Sequence, residues 1–204
     1  IDYDSLVKYA EEKGIHLISD SAESLGAIYK EKPVGSQALI HSFSFFGNKN
    51  ITTGEGGMIT TNNESLMKKL RIIRNQGQEE RYKHVMLGFN YRMTECQAAL
   101  GIVQLNSLKT RLNHKENIVK NYNEFFSKSE FIDSPVIPSY VTKHAWYMYT
   151  INLHPSIDRD KVTKELDKLG IETRKSFPPV HIQPFYIEKY GFDIHDYPNA
   201  MKGW

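Results

Sequence analysis

The sequence predicts an α/β chain: a large domain built on a mostly parallel sheet, followed by a smaller α+β domain. Three observations predict it. Short apolar runs at 15–19, 38–44 and 57–61 alternate with helix patterns. Turn-forming residues separate them, and the pattern changes character after a polar helix that starts near residue 110.

Taken in order, Asp4 or Ser5 can cap a first helix with Leu6, Val7, Tyr9 and Ala10 on one side, and Gly14 suits its left-handed end. The run 15–19 is apolar except for His16 and Ser19, as suits a strand covered on both faces, and it delivers Asp20 at its C-terminal end. After Gly26 a turn is expected at Lys32-Pro33-Val34-Gly35, then strands at 38–44 and 57–61 with an irregular glycine-containing loop between them. Asn62 or Asn63 caps a helix to about Asn75, with Leu66, Leu70 and Ile73 on one face and Lys68, Lys69 and Arg71 on another.

Thr94 and Gln97 have capping-box spacing for a helix through Ala98, Ala99, Ile102 and Leu105, expected to bend near Asn106-Ser107 and continue over 111–127. A strand over 146–153, a capped amphipathic helix over 158–169 stopped by Gly170, and a strand over 171–174 complete the reading. Residues 1–110 are thus assigned to the large domain and 111–204 to the small one.

The 26 basic and 24 acidic residues, a net charge of +2, are mixed along the chain, so no basic face for nucleic acid is expected. With 40% hydrophobic and 25% charged residues the composition is that of a globular protein, not a disordered one. No run approaches the roughly 20 apolar residues of a membrane span, and 1–13 lack the order of a signal peptide. Cys96, the single cysteine, has no internal disulfide partner and reads as a small buried hydrophobe, which fits a reducing cytoplasm. No metal-ligand set is proposed. Ile1 stands where an initiator would, and Trp204 ends the chain without a polar tail, so both ends are expected to continue in a longer protein.

The chemistry-bearing residues stand at strand ends, where open α/β sheets place ligands. Asp20 follows one strand; Ser44 and Lys49 follow another, in Ser44-Phe45-Phe46-Gly47-Asn48-Lys49-Asn50. Singly, each has an ordinary explanation. Asp20 is a turn or cap former, Lys49 a solvated lysine, Asn90 a turn residue and His181 a loop histidine among Pro178, Pro179 and Pro184. Gly54, Gly56 and Gly57 need only supply positive φ.

Three longer segments are more specific: 20–27 (Asp-Ser-Ala-Glu-Ser-Leu-Gly-Ala), 42–57 (Ser-Phe-Ser-Phe-Phe-Gly-Asn-Lys-Asn-Ile-Thr-Thr-Gly-Glu-Gly-Gly) and 88–94 (Gly-Phe-Asn-Tyr-Arg-Met-Thr). Together they resemble the DegT/DnrJ/EryC1/StrS sugar aminotransferases, a branch of the fold-type I enzymes dependent on pyridoxal 5'-phosphate (PLP), and within it the perosamine synthase-like members. The resemblance covers essentially the whole chain in the right order.

It implies transfer of an amino group, with glutamate as donor, to a nucleotide-linked 4-keto-6-deoxy sugar in polysaccharide or glycan precursor synthesis. It implies that Lys49 forms the Schiff base with the cofactor, that Asp20 pairs with its ring nitrogen, that Glu23 lies near its 3-hydroxyl and that Ser44 binds its phosphate. Asn90 matches the asparagine that reaches the neighbouring subunit's cofactor, implying a homodimer with shared active sites. His181, in Val180-His181-Ile182-Gln183-Pro184-Phe185-Tyr186, matches a histidine beside the sugar nucleotide. The family's first third, with its phosphate-binding turn and ring-stacking aromatic residue, has no counterpart here, so this chain alone is expected to be inactive. Two other readings stand beside this one: a sugar dehydratase of the same branch, in which histidine replaces the lysine, and a non-catalytic sugar-binding or regulatory relative.

Overall fold

Helix α1 (Tyr3–Lys13) opens the computed structural model, which describes residues 1–204. It starts earlier than expected because Asp2, not Asp4 or Ser5, takes the cap position. Asp2 Oδ2 accepts the Ser5 hydroxyl (2.5 Å) and its Oδ1 accepts the Tyr29 hydroxyl (2.5 Å). Gly14 ends the helix in the left-handed conformation at φ 63°, where a side chain would be strained.

Strand β1 (Ile18–Asp20) follows, then β2 (Ile28–Tyr29), β3 (Lys32–Pro33), β4 (Ile40–Ser44) and β5 (Gly57–Thr60). β1 pairs β4 in parallel, Asp20 opposite Ser42, and β5 adds antiparallel to the other edge of β4. This three-stranded sheet therefore holds one parallel and one antiparallel pair. β1 is shorter than 15–19 and covered on one side only: Ser19 is 4% exposed, Ile18 63%. The turn expected at 32–35 lies earlier, at Lys30 and Glu31, both with positive φ, and joins β2 to β3.

Helix α2 (Glu64–Arg74) is capped by Asn63, whose side chain accepts the Leu66 N–H. β6 (Gln78–Glu80) and β7 (Lys83–His84) form a small hairpin. Helix α3 (Glu95–Phe126) has the predicted Thr94–Gln97 capping box but no break at 106–107, where Ser107 Oγ donates to the Gln104 carbonyl within the helix. The expected division at 110/111 thus falls inside an unbroken helix. The compact units are Ile1–Asn152 and Leu153–Trp204. Cys96, expected buried, is exposed, because the inward side of α3 is the one that carries Gln97, Gly101, Leu108 and Lys115.

β8 (Ile132–Asp133) and β9 (Val141–Lys143) precede β10 (Asn152–Leu153), which is all that forms of the strand expected over 146–153. Trp146 leaves the strand region at φ 45°; its N–H goes to His144 Nδ1 and its carbonyl accepts from Lys115, so its backbone joins no ladder. In the second unit, α4 (Arg159–Lys168) is capped by Asp158 as expected. The strand expected at 171–174 is absent: no strand lies beside it, and the Ile171 N–H closes the end of α4 on the Leu166 carbonyl. α5 (Pro184–Tyr190) and α6 (Pro198–Lys202) finish the chain. No helix is long and apolar enough to cross a membrane.

At the centre of the first unit, Phe43, Phe45 and Ile51 are buried against Leu25, Met93 and Leu108. His41 on β4 is a fully buried polar residue. Its Nε2 accepts the N–H groups of Gln37 (3.1 Å) and Ala38 (2.9 Å), so the proton sits on Nδ1 and is donated to Ser21 Oγ (2.9 Å). Ser21, Ser19 and the Tyr3 hydroxyl continue this chain at 3.1 and 2.9 Å, fastening α1 to the strand that carries Asp20.

Burial holds the His41 pKa below the ordinary histidine value. The unfolded chain then binds a proton that the folded one refuses, so stability rises with pH and is lost as pH falls below about 6.5. One group can contribute at most about 1.4 kcal/mol per pH unit. His144, also depressed by burial, acts with the same sign. Urea unfolding near neutrality should therefore give a higher stability than at about one to two pH units below, and His41→Gln should shrink that difference. An undiminished difference in the variant would show that His41 does not titrate as described.

Candidate active site

Because β1 and β4 run parallel, Asp20 and Ser44 end at the same edge of the sheet, and the β4–β5 connection, residues 45–56, leaves from that edge. This loop is held by its own backbone. Phe45 N–H goes to the Gly56 carbonyl (2.9 Å), Thr53 N–H to the Phe45 carbonyl (2.9 Å) and Lys49 N–H to the Phe46 carbonyl (3.0 Å). Gly57 is needed for this closure, since a Cβ there would lie 2.7 Å from the Phe43 carbonyl oxygen.

Lys49 projects from this fixed loop with its side chain only 14% exposed. Its Nζ lies 3.3 Å from Glu23 Oε1 and 4.1 Å from the centroid of the Tyr147 ring, a carboxylate and a π-face that both favour a cation. The Asp20 carboxylate accepts only the Ala22 N–H (3.0 Å) and meets no cation of the chain. Asp20 and Glu23 both line a cavity of about 170 Å³ with Tyr3, Tyr29 and His144 among its walls. Ser44 Oγ accepts the Phe46 N–H at 3.3 Å, leaving its proton available. In the same loop, Gly47 is exposed, and a Cβ there would meet nothing within 4 Å.

One side of α3 runs along this loop. Gln97 Nε2 donates to the Glu55 carbonyl (2.8 Å), Gly101 approaches the Thr53 methyl, Leu108 packs on the core and Lys115 Nζ donates to Asn50 Oδ1 (2.7 Å). Spacings of four, seven and seven keep these positions on one side of the helix. Burial, and secondarily the neighbouring Arg111 charge, lower the Lys115 pKa.

Asn90 stands elsewhere in the first unit and is exposed. It forms an isolated antiparallel bridge with Asn75, flanked by Gln76 N–H to the Phe89 carbonyl (2.9 Å) and Tyr91 N–H to the Arg74 carbonyl (3.0 Å). Two glycines permit this close approach: a Cβ on Gly88 would fall 2.1 Å from the Gly77 nitrogen. Gly88→Ala should therefore lower stability by about 1–3 kcal/mol or more, read as a drop in Tm, whereas Gly47→Ala should leave Tm unchanged. Equal Tm values for the Gly88 variant and the parent would contradict this packing.

His181 belongs to the second unit. It is 6% exposed in a single 3₁₀ turn, Val180–Ile182, with its ring 4.9 Å from that of Tyr197 and its Nε2 buried without a hydrogen-bond partner.

The structure thus brings Lys49 and Glu23 into contact and sets Asp20 and Ser44 at one sheet edge, while Asn90 bridges to Asn75 and His181 belongs to the second unit. Tyr147, Asn50 and Lys115 were not singled out from sequence. Tyr147 was hidden in a presumed strand. Lys115 had a detectable signal, a lysine seven residues after Leu108 on the packed side of the helix.

The sequence pattern of the DegT/DnrJ/EryC1/StrS aminotransferase family matches residues 1–203. The chain is 42% identical over 190 residues to the GDP-perosamine synthase of Caulobacter vibrioides, covering 91% of this chain and 51% of that protein. Among solved structures, S. venezuelae DesV superposes with a TM-score of 0.92 at 29% identity, over 100% of this chain and 54% of the other. Spr1654 of Streptococcus pneumoniae in its PLP form gives 0.87 at 30% identity, over 98% and 57%. The chain spans about half the length of the curated relatives it matches.

Proposed function

Since the chain belongs to the DegT/DnrJ/EryC1/StrS aminotransferase family, we propose that the complete protein is a PLP-dependent aminotransferase acting on a nucleotide-linked 4-keto sugar. The carrying observation is the Lys49 amine, enclosed against Glu23 and Tyr147 on a rigid loop at the edge where Asp20 and Ser44 end. The donor set suits PLP: an amine for its carbonyl carbon, a carboxylate unclaimed by any cation, a hydroxyl with a proton to give, and open space at Gly47.

When bound, PLP supplies an electron-accepting ring and a carbonyl carbon that carries the amino group. In this reading the Lys49 amine would hold the cofactor, and Nζ, when not so engaged, would take up and return the proton of the amino donor. Glu23 and the Tyr147 face steady the amine while it is cationic. Asp20 would hold a proton on the ring nitrogen, and Ser44 would donate to the phosphate. His181 contacts the nucleotide sugar, and Asn90 reaches the site of a second subunit in a homodimer. Glutamate is the donor, and the product feeds polysaccharide or glycan precursor synthesis. Cys96, exposed and unpaired, suits a reducing cytoplasm. Lys49 itself supports transfer over the dehydratase reading, which requires histidine at that position.

The test is spectroscopic. Added PLP should give the complete protein a visible absorbance that borohydride abolishes, with the reduced adduct mapped to Lys49. An adduct on another lysine, or none, overturns the proposal.

A further inference from the structure

Lys49 has two side-chain partners, Glu23 and Tyr147, on segments far apart in sequence, and what holds those segments around the amine lies one layer behind it. Asn50, next to Lys49 and 7% exposed, donates through Nδ2 to the carbonyls of Leu25 (3.1 Å) and Ala145 (2.9 Å). Lys115 of α3 donates to Asn50 Oδ1 (2.7 Å) and to the Trp146 carbonyl (3.1 Å). Leu25 is two residues past Glu23, and Trp146 immediately precedes Tyr147. All three segments that surround the amine are therefore tied to one pair of side chains.

We propose that Lys115 is a positioning residue for Lys49, acting through Asn50 to hold the Glu23, Lys49 and Tyr147 segments in one geometry. The proposal rests on the aminotransferase reading. Lys115 is half-buried, joins no salt bridge and stands on the packed side of α3, at a helical position where an apolar side chain would avoid the desolvation of a cation. Its burial also lowers its pKa, consistent with an ammonium that is held by neutral acceptors alone. An ammonium offers three donors on a long stem, which lets one residue reach acceptors on two segments at once, as no apolar residue can. Its bond to Asn50 Oδ1 also fixes the amide orientation, so that Nδ2 faces the two backbone carbonyls.

The experiment uses the complete protein and compares wild type, Lys115→Met, Lys115→Arg, and Val119→Ala as a control that thins the core of the same helix. In cofactor-free protein, acetic anhydride labelling of Lys49 is measured by peptide mass spectrometry against exposed Lys69. Loss of the tie should raise relative Lys49 labelling about tenfold in Lys115→Met, as local opening becomes easier. In the PLP-loaded protein, kcat should fall by about 10²-fold with KM for the sugar little changed, since the amine is displaced and not removed. Lys115→Arg, which keeps a cationic donor, should recover most of both readouts. Lys115→Gln, which keeps a shorter donor, replaces the methionine variant if that one does not fold. The proposal is overturned if Lys115→Met labels and turns over as wild type, or if Val119→Ala at a matched Tm gives the same changes. A wild-type protein that forms no adduct on Lys49 would defeat the aminotransferase reading instead, while the labelling ratio would still decide the positioning role.

Discussion

Lys49→Ala in the complete protein is expected to abolish amino transfer, lowering turnover by on the order of 10⁴-fold or more, while PLP still binds without a covalent bond. One amine carries both the attachment and the proton, so no neighbour can substitute for half of its work. Glu23 and Tyr147 touch the same site, but a carboxylate and a phenol cannot form that bond. Stability should hardly change: Glu23 is 48% exposed, and an ion pair that open contributes no more than about 1 kcal/mol. The variant thus separates chemistry from folding. Dialysis should remove PLP from it faster than from wild type, borohydride should fix nothing at position 49, and the thermal transition should remain. Turnover at the wild-type rate would exclude Lys49 as the reacting amine.

The range of each interaction decides how far the sequence reveals it. Caps and helix ends were readable at Asn63, Thr94, Asp158 and Gly14, because their physics lies within four residues. The sheet edge that carries Asp20 and Ser44 was readable from apolar runs that end at polar residues. The strand expected over 146–153 failed for a non-local reason. Its alternating aromatic residues look extended, but the Trp146 carbonyl is claimed by Lys115 and its backbone turns at φ 45°. The same capture places the Tyr147 ring over Lys49, so the error in secondary structure and the missed partner have one cause. Likewise Asn50 was visible as a motif residue, but its ties to Leu25, Ala145 and Lys115 join positions 25, 95 and 65 residues away, beyond any local pattern.

Asp20→Asn should preserve shape and much of PLP occupancy yet lower kcat by on the order of 10²–10³-fold, the range seen when one preorganised electrostatic partner is removed. Asp20 accepts a single backbone N–H and faces no lysine or arginine, so its charge is unspent within the chain. A carboxylate in that state favours a cationic partner, and beside a ring nitrogen it favours the protonated form. Protonation matters most at the moment when an electron pair leaves the donor's Cα–H bond and must be accommodated by the ring, and little while the cofactor is merely held by Lys49 and Ser44. The loss should therefore appear in kcat with KM for the sugar nearly unchanged, the signature of an interaction made chiefly in the transition state. Asparagine keeps the Oδ1 acceptor for the Ala22 N–H, so the turn after β1 should survive and Tm should stay close to wild type. A variant that binds PLP and turns over as wild type would reduce Asp20 to a turn former. One that loses PLP outright would make its role binding and not electronic.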